Sequence, residues 1–178
     1  MKVGLLCVLA LAAPACSSDS SSADAPTSGG ADAAASSADA GVAKTFTVTL
    51  AVANEMPPCS GAGSGATGSG TITISGDGST LTVNTVTFSG LSGAATMAHI
   101  HAGASTLASG PVVLSLGTNP TSPITNKVFT SSDYVAASGA PATFAAFIAS
   151  VKAGNGAYVN VHTSACGNGE IRGELIAQ

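Results

Sequence analysis

All three histidines of this 178-residue chain fall in two short segments, His99-Ile100-His101 and Tyr158-Val159-Asn160-Val161-His162-Thr163. Side chains alternate across a β-strand, so His99 and His101 leave one face while Ile100 leaves the other. In the second segment Val159 and Val161 claim the apolar face, which puts Tyr158, Asn160 and His162 on the opposite one. If the two strands are neighbours, three neutral imidazoles converge as a facial N₃ set suited to zinc or copper, with a position left for water or a ligand. Binding requires neutral imidazole, so affinity is expected to fall as free histidine protonates, below about pH 6.5.

A third segment extends the same polar face. Ile171 and Leu175 share one side, and Glu170, Arg172 and Glu174 share the other. Paired back on the 158–163 strand through the Cys166-Gly167-Asn168 turn, Glu170 and Arg172 join Tyr158 and Asn160 as candidate residues around the histidines, where a carboxylate can orient an imidazole through its second N–H. The same pattern also fits a solvated sheet face on which histidines merely hydrogen-bond across strands and the charges form a surface ladder. Glu55, in Asn54-Glu55-Met56-Pro57-Pro58, is a further polar candidate whose usual role would be to brace a turn.

Other chemistries lack their signatures. There is no Gly-x-Ser-x-Gly, and the Gly-rich run from Gly61 to Gly70 lacks the Gly-Lys-Ser/Thr ending of a phosphate loop. No catalytic residue is assigned. The charges of the 44–178 region nearly balance, with Glu55, Asp77, Asp133, Glu170 and Glu174 against Lys44, Lys127, Lys152 and Arg172. That pattern excludes the clustered basic footprint of a nucleic-acid binder.

The elements that must position these residues follow from periodicity. Phe46, Val48, Leu50 and Val52 alternate with Thr45, Thr47, Thr49 and Ala51, and Ile72 and Ile74 alternate with threonines before Gly76-Asp77-Gly78, a hairpin signal. Leu81 and Val83 are out of phase with Val86 and Phe88, which predicts a bulge near Asn84-Thr85. Segments 97–102, 111–116, 158–163 and 170–176 read as further strands, with a short one over 128–130. Phe144, Phe147, Ile148 and Val151 recur at helical spacing, which predicts one short helix over about 141–153, opened by Pro141 and closed by Gly154. Strands joined by Gly and Pro turns, with one helix, define an all-β chain: an antiparallel Greek-key β-sandwich or barrel.

The first 43 residues differ in kind. Met1-Lys2, the apolar run Val3 to Ala13 and Ala13-Pro14-Ala15 read as a signal peptide over 1–15. Cys16 then stands at the cleavage point, as in bacterial lipoproteins, and an exposed thiol there is a liability unless it is lipidated. Ordinary signal peptidase would cut at the same bond and release a soluble protein. The lipidated reading makes Ser17 to Ala43, rich in Ser, Ala, Asp and Gly with no aromatic residue and no base, a disordered tether. The domain then runs from 44 to 178. In an exported protein the two domain cysteines, Cys59 and Cys166, pair by default. The expected location is the bacterial cell envelope, lipid-anchored at the periplasmic face or the cell surface.

Together, Asn54-Glu55-Met56-Pro57-Pro58, Ser89-Gly90-Leu91, Ala98-His99-Ile100-His101-Ala102-Gly103, Gly110-Pro111-Val112-Val113, Tyr158 to Thr163 and Gly169-Glu170-Ile171-Arg172-Gly173-Glu174-Leu175 resemble the CHRD domain. That domain is named from chordin, an extracellular antagonist of bone morphogenetic proteins, and also occurs in exported bacterial proteins. A weaker similarity, carried by Gly90-Leu91 before His-x-His and by Gly167-Asn168-Gly169-Glu170-Ile171-Arg172, reaches the copper-zinc superoxide dismutases. It implies a related Greek-key fold. The chain lacks the further His and Asp ligands of the dismutase zinc site, which argues against that activity. The resulting expectation is a membrane-tethered, non-catalytic binding module for an unknown protein or small ligand. The alternatives are a copper- or zinc-binding metalloprotein, conceivably redox-active, and a structural envelope protein.

Overall fold

The computed structural model describes residues 41–103 and 108–178. The expected signal peptide, Cys16 and the expected tether as far as residue 40 lie outside the described residues. Nine strands form one antiparallel sheet: β1 (Lys44–Ala51), β2 (Thr67–Ile74), β3 (Leu81–Ser89), β4 (Ala95–Ala102), β5 (Val112–Thr118), β6 (Ile124–Phe129), β7 (Ala157–Thr163), β8 (Ile171–Glu174) and β9 (Ile176–Ala177). Their spatial order is β5-β4-β7-β8-β1-β2-β3-β6, with β9 beside β1. The two ends of the sheet, β5 and β6, come close to one another, so the sheet curls into a nearly closed barrel.

The barrel interior is filled by the apolar phase of each strand. Phe46, Val48 and Leu50 of β1, Ile72 and Ile74 of β2, Leu81, Val83 and Val86 of β3, Ile100 of β4 and Val159 and Val161 of β7 are all buried. The phase break in β3 is resolved as the sequence predicts. Thr71 pairs with Thr85 but Ile72 pairs with Val83, so Asn84 is the extra residue that keeps Val83 and Val86 on one face.

The helix, α1 (Phe144–Lys152), spans the whole apolar stripe but is shorter than the 141–153 expected from Pro141 and Gly154. Thr143 caps it by accepting the Ala146 N–H, so Pro141 falls in the approach rather than in the first turn. Gly154, at φ +87°, follows the C-cap. Phe144, Phe147, Ile148 and Val151 are buried, which assigns the helical stripe to packing.

Beyond the barrel interior the sequence reading needs one correction. The polar face of β7 is not solvated: every residue from Ala157 to Thr163 is buried. Residues of the loop following β1, residues 108–110 ahead of β5 and residues of the loop following β7 fold over it. A disulfide between Cys59 and Cys166, 107 residues apart, ties the first of these loops to the last. An alternating pattern read from sequence cannot tell a face turned to water from one roofed by loops.

Candidate metal site

Strand pairing brings the histidines together. β4 lies antiparallel beside β7 with His99 opposite Asn160 and His101 opposite Tyr158, and β8 places Arg172 on the other side of Asn160. One ligand nitrogen from each of His99, His101 and His162 lies within 4.8 Å of the others. His101 and His162 are buried, and His99 is partly exposed.

The hydrogen bonds fix which nitrogen points inward. His101 Nδ1 lies 2.8 Å from the Gly110 carbonyl oxygen, and His162 Nδ1 lies 3.0 Å from that of Gly167. A carbonyl only accepts, so both Nδ1 atoms carry the proton. In the neutral rings both Nε2 atoms are then bare lone pairs. His162 Nε2 is 3.1 Å from His99 Nδ1. Two ligands held about 2.0–2.1 Å from a tetrahedral metal stand about 3.3 Å apart, so this pair already has the required spacing. Imidazoles oriented by carbonyl acceptors on the far nitrogen are the usual arrangement around a bound metal.

Electrostatics keeps the rings neutral. Burial, followed by repulsion from His162 and His101, pushes His99 down to about 4. Burial also lowers His101 and His162, against the opposing pull of the Gly110 and Gly167 carbonyls. Neutral imidazoles without a nearby thiolate suit zinc, copper or nickel.

The surrounding polar residues divide into two groups. Asn160 Oδ1 lies 3.0 Å from Nε2 of both His101 and His162, and the Tyr158 ring stacks on His101 with centroids 4.5 Å apart. These two residues touch the imidazoles directly. Arg172 packs behind them, its guanidinium 3.5 Å from the Tyr158 ring centre, and it bonds Glu174 at 2.7 Å and the Ala108 carbonyl at 3.0 Å. Glu170 clasps loops. It accepts from the backbone N–H of Gly63 and Ser92 and from the hydroxyls of Ser92 and Thr163. Burial pushes its carboxyl up, but these donors outweigh burial and hold it below the usual range.

Glu55 is more deeply placed than a turn brace. It is 3% exposed, and its carboxyl stands beside the Asn160 side-chain amide at Gly169. Burial above all raises its carboxyl to about 7, against the lowering influence of Arg172 and Asn160. Gly169, at φ +125°, makes room for it, since a Cβ there would collide with Glu55 Oε1. The sequence carried two hints, a carboxylate between Asn54 and the Pro pair and a Gly-Asn-Gly turn before Glu170. The orienting carbonyls of Gly110 and Gly167 have no side-chain signature at all.

A disulfide-tied antiparallel barrel with a roofed histidine cluster defines the class of this molecule. The family model of the CHRD domain matches residues 46–175, and the chain belongs to that family. Neither the curated proteins nor the solved structures searched gave a match.

Proposed function

We propose that this CHRD domain is a non-catalytic binding module that holds one divalent transition-metal ion, zinc or copper, through His99, His101 and His162. The observation that carries this reading is the tautomer pattern. The Nδ1 protons of His101 and His162 are directed at the Gly110 and Gly167 carbonyls, and their Nε2 lone pairs converge with the partly exposed His99. A solvated sheet face would have no need of such orientation. Metal content of untagged protein, with titration of the metal-free form, tests the assignment; absence of binding removes it.

The same proposal places the domain outside the cytoplasm on a lipid anchor, with Cys16 as the lipidated residue and Ser17 to Ala43 as spacer. Among the described residues no helix is long and apolar enough to cross a membrane, and the domain carries a disulfide, which persists in oxidising compartments. Replacing Cys16→Ser should move the protein from the membrane to the soluble fraction. A native protein found only in the soluble fraction contradicts the anchor.

A further inference from the structure

Among the described residues, Glu55 Oε1 is the buried side-chain oxygen without a hydrogen-bond partner. Leaving such an atom unpaired costs stability, so a purely structural brace is a poor account of it. Its carboxyl stands beside the Asn160 side-chain amide, both groups meeting the space where a Gly169 Cβ would lie, and that amide touches two of the three histidines.

A primary amide has an accepting end and a donating end, and whichever group holds one end decides what the other presents. A carboxylate accepts only. Glu55 therefore suits the NH₂ end of Asn160, whose Nδ2 it neighbours, while Oδ1 lies toward Nε2 of His101 and His162, each 3.0 Å away. Because the Nδ1 protons of both rings are held by carbonyls, Oδ1 and the two Nε2 atoms all present lone pairs to one another. That arrangement favours a cation. The opposite amide orientation would donate N–H to Nε2 and block the lone pairs a metal needs.

We propose that Glu55 is the positioning residue of the site: by holding the Asn160 amide, it keeps the pocket lined by acceptors and thereby sets its affinity for a divalent cation. This rests on the metal reading above and adds to it a residue remote from the ligands. Gly169 belongs to the same device, because only a residue without Cβ lets Glu55 reach Asn160.

The test uses Glu55→Gln, a near-isosteric change whose amide can pair with either end of Asn160. Metal-free wild type and variant are titrated with Zn²⁺ at pH 8, and their urea midpoints are compared. The proposal expects zinc affinity to fall by about 10- to 100-fold, as for other outer-shell partners of metal ligands, with a midpoint equal to or above that of wild type. Equal zinc affinity overturns the proposal while leaving the metal site standing, and so does a weakened affinity accompanied by a lower midpoint, the behaviour of a mere brace. No zinc binding by wild type overturns both readings. Should the variant fail to fold, the side-chain amide protons of Asn160 in ¹⁵N-labelled wild type decide. Contacts to the Glu55 side chain support the proposal, and contacts to the imidazoles overturn it.

Discussion

The imidazole of His101 lies flat on the phenol of Tyr158, with planes 11° apart and centroids separated by 4.5 Å. The relationship follows from strand register, since the two residues are cross-strand partners. Tyr158 also receives the Arg172 guanidinium and takes the Gly110 N–H on its hydroxyl at 2.9 Å. Gly110 is the residue whose carbonyl orients His101. One tyrosine thus fixes the plane of the ring and the loop that selects its tautomer.

Replacing Tyr158→Leu should lower stability by about 2 to 4 kcal/mol, through loss of the ring stack and of a desolvated cation–π contact. Tyr158→Phe keeps both and loses only hydroxyl bonds, at about 1 kcal/mol. Urea unfolding of the two variants separates these contributions. Equal losses would show that the hydroxyl, rather than the stack, is what matters.

The disulfide closes a loop of 107 residues and pins the roof over the histidines. On the chain-entropy model, a loop of this size corresponds to about 4 to 5 kcal/mol. The Cys59→Ser/Cys166→Ser double variant should lose stability of that order and bind metal more weakly, because Gly167 is adjacent to the released cysteine. Denaturant unfolding checks the first effect and zinc titration the second. A variant as stable as wild type would remove the disulfide from this role.

The pH dependence of stability has two opposing parts. The three histidines titrate lower in the fold than the value near 6.5 expected of an unfolded chain, with His99 at about 4. The unfolded chain therefore takes up protons first as pH falls, and the histidine contribution, complete above 6.5, is lost toward pH 4. Glu55 acts in the reverse sense. Its folded value, about 7, lies above the ordinary 4.5, so its contribution is present below 4.5 and is lost as pH rises through 7. The stability of metal-free Glu55→Gln relative to wild type should accordingly improve between pH 5 and pH 8. Urea midpoints at those two values check the sign, and a relative decline contradicts it.

Gly169 offers a geometric test of the roof. An alanine there must adopt φ near +125° and place its Cβ against Glu55 Oε1 and Asn160 Nδ2. Gly169→Ala should cost about 1 to 3 kcal/mol, as for other residues forced into sparsely populated backbone regions, and should displace Glu55. Thermal unfolding gives the cost; an unchanged midpoint would mean the turn relaxes freely.

Much of this arrangement was legible in the chain because two-residue periodicity reports which face a side chain takes. The parity of Ile100, Val159 and Val161 placed His99, His101 and His162 on one face, and the phase break after Val83 announced the skipped Asn84. Cys59 and Cys166 could be paired by elimination. What periodicity does not encode is what lies above a face. The burial of Asn160, Glu170 and Arg172 arises from loops whose positions depend on the disulfide and on the four donors that meet Glu170. The helix start was misplaced for a local reason: Thr143 offers a better cap than Pro141 offers a first turn. The strand expected over 128–130 begins earlier, as β6, because that strand carries only Ile124 and Phe129 as buried residues, too few to show alternation.

The central claim is that His99, His101 and His162 hold one metal ion. Titration of the untagged, metal-free protein with Cu²⁺ at pH 7.5, followed by electron paramagnetic resonance, tests it most directly. The account predicts one copper per chain with hyperfine splitting from imidazole nitrogen, and an affinity weakened by more than about 100-fold in His162→Ala, beyond the range seen for outer-shell changes. A protein that takes up no copper, or a His162→Ala variant that binds it as tightly with the same spectrum, would contradict the account.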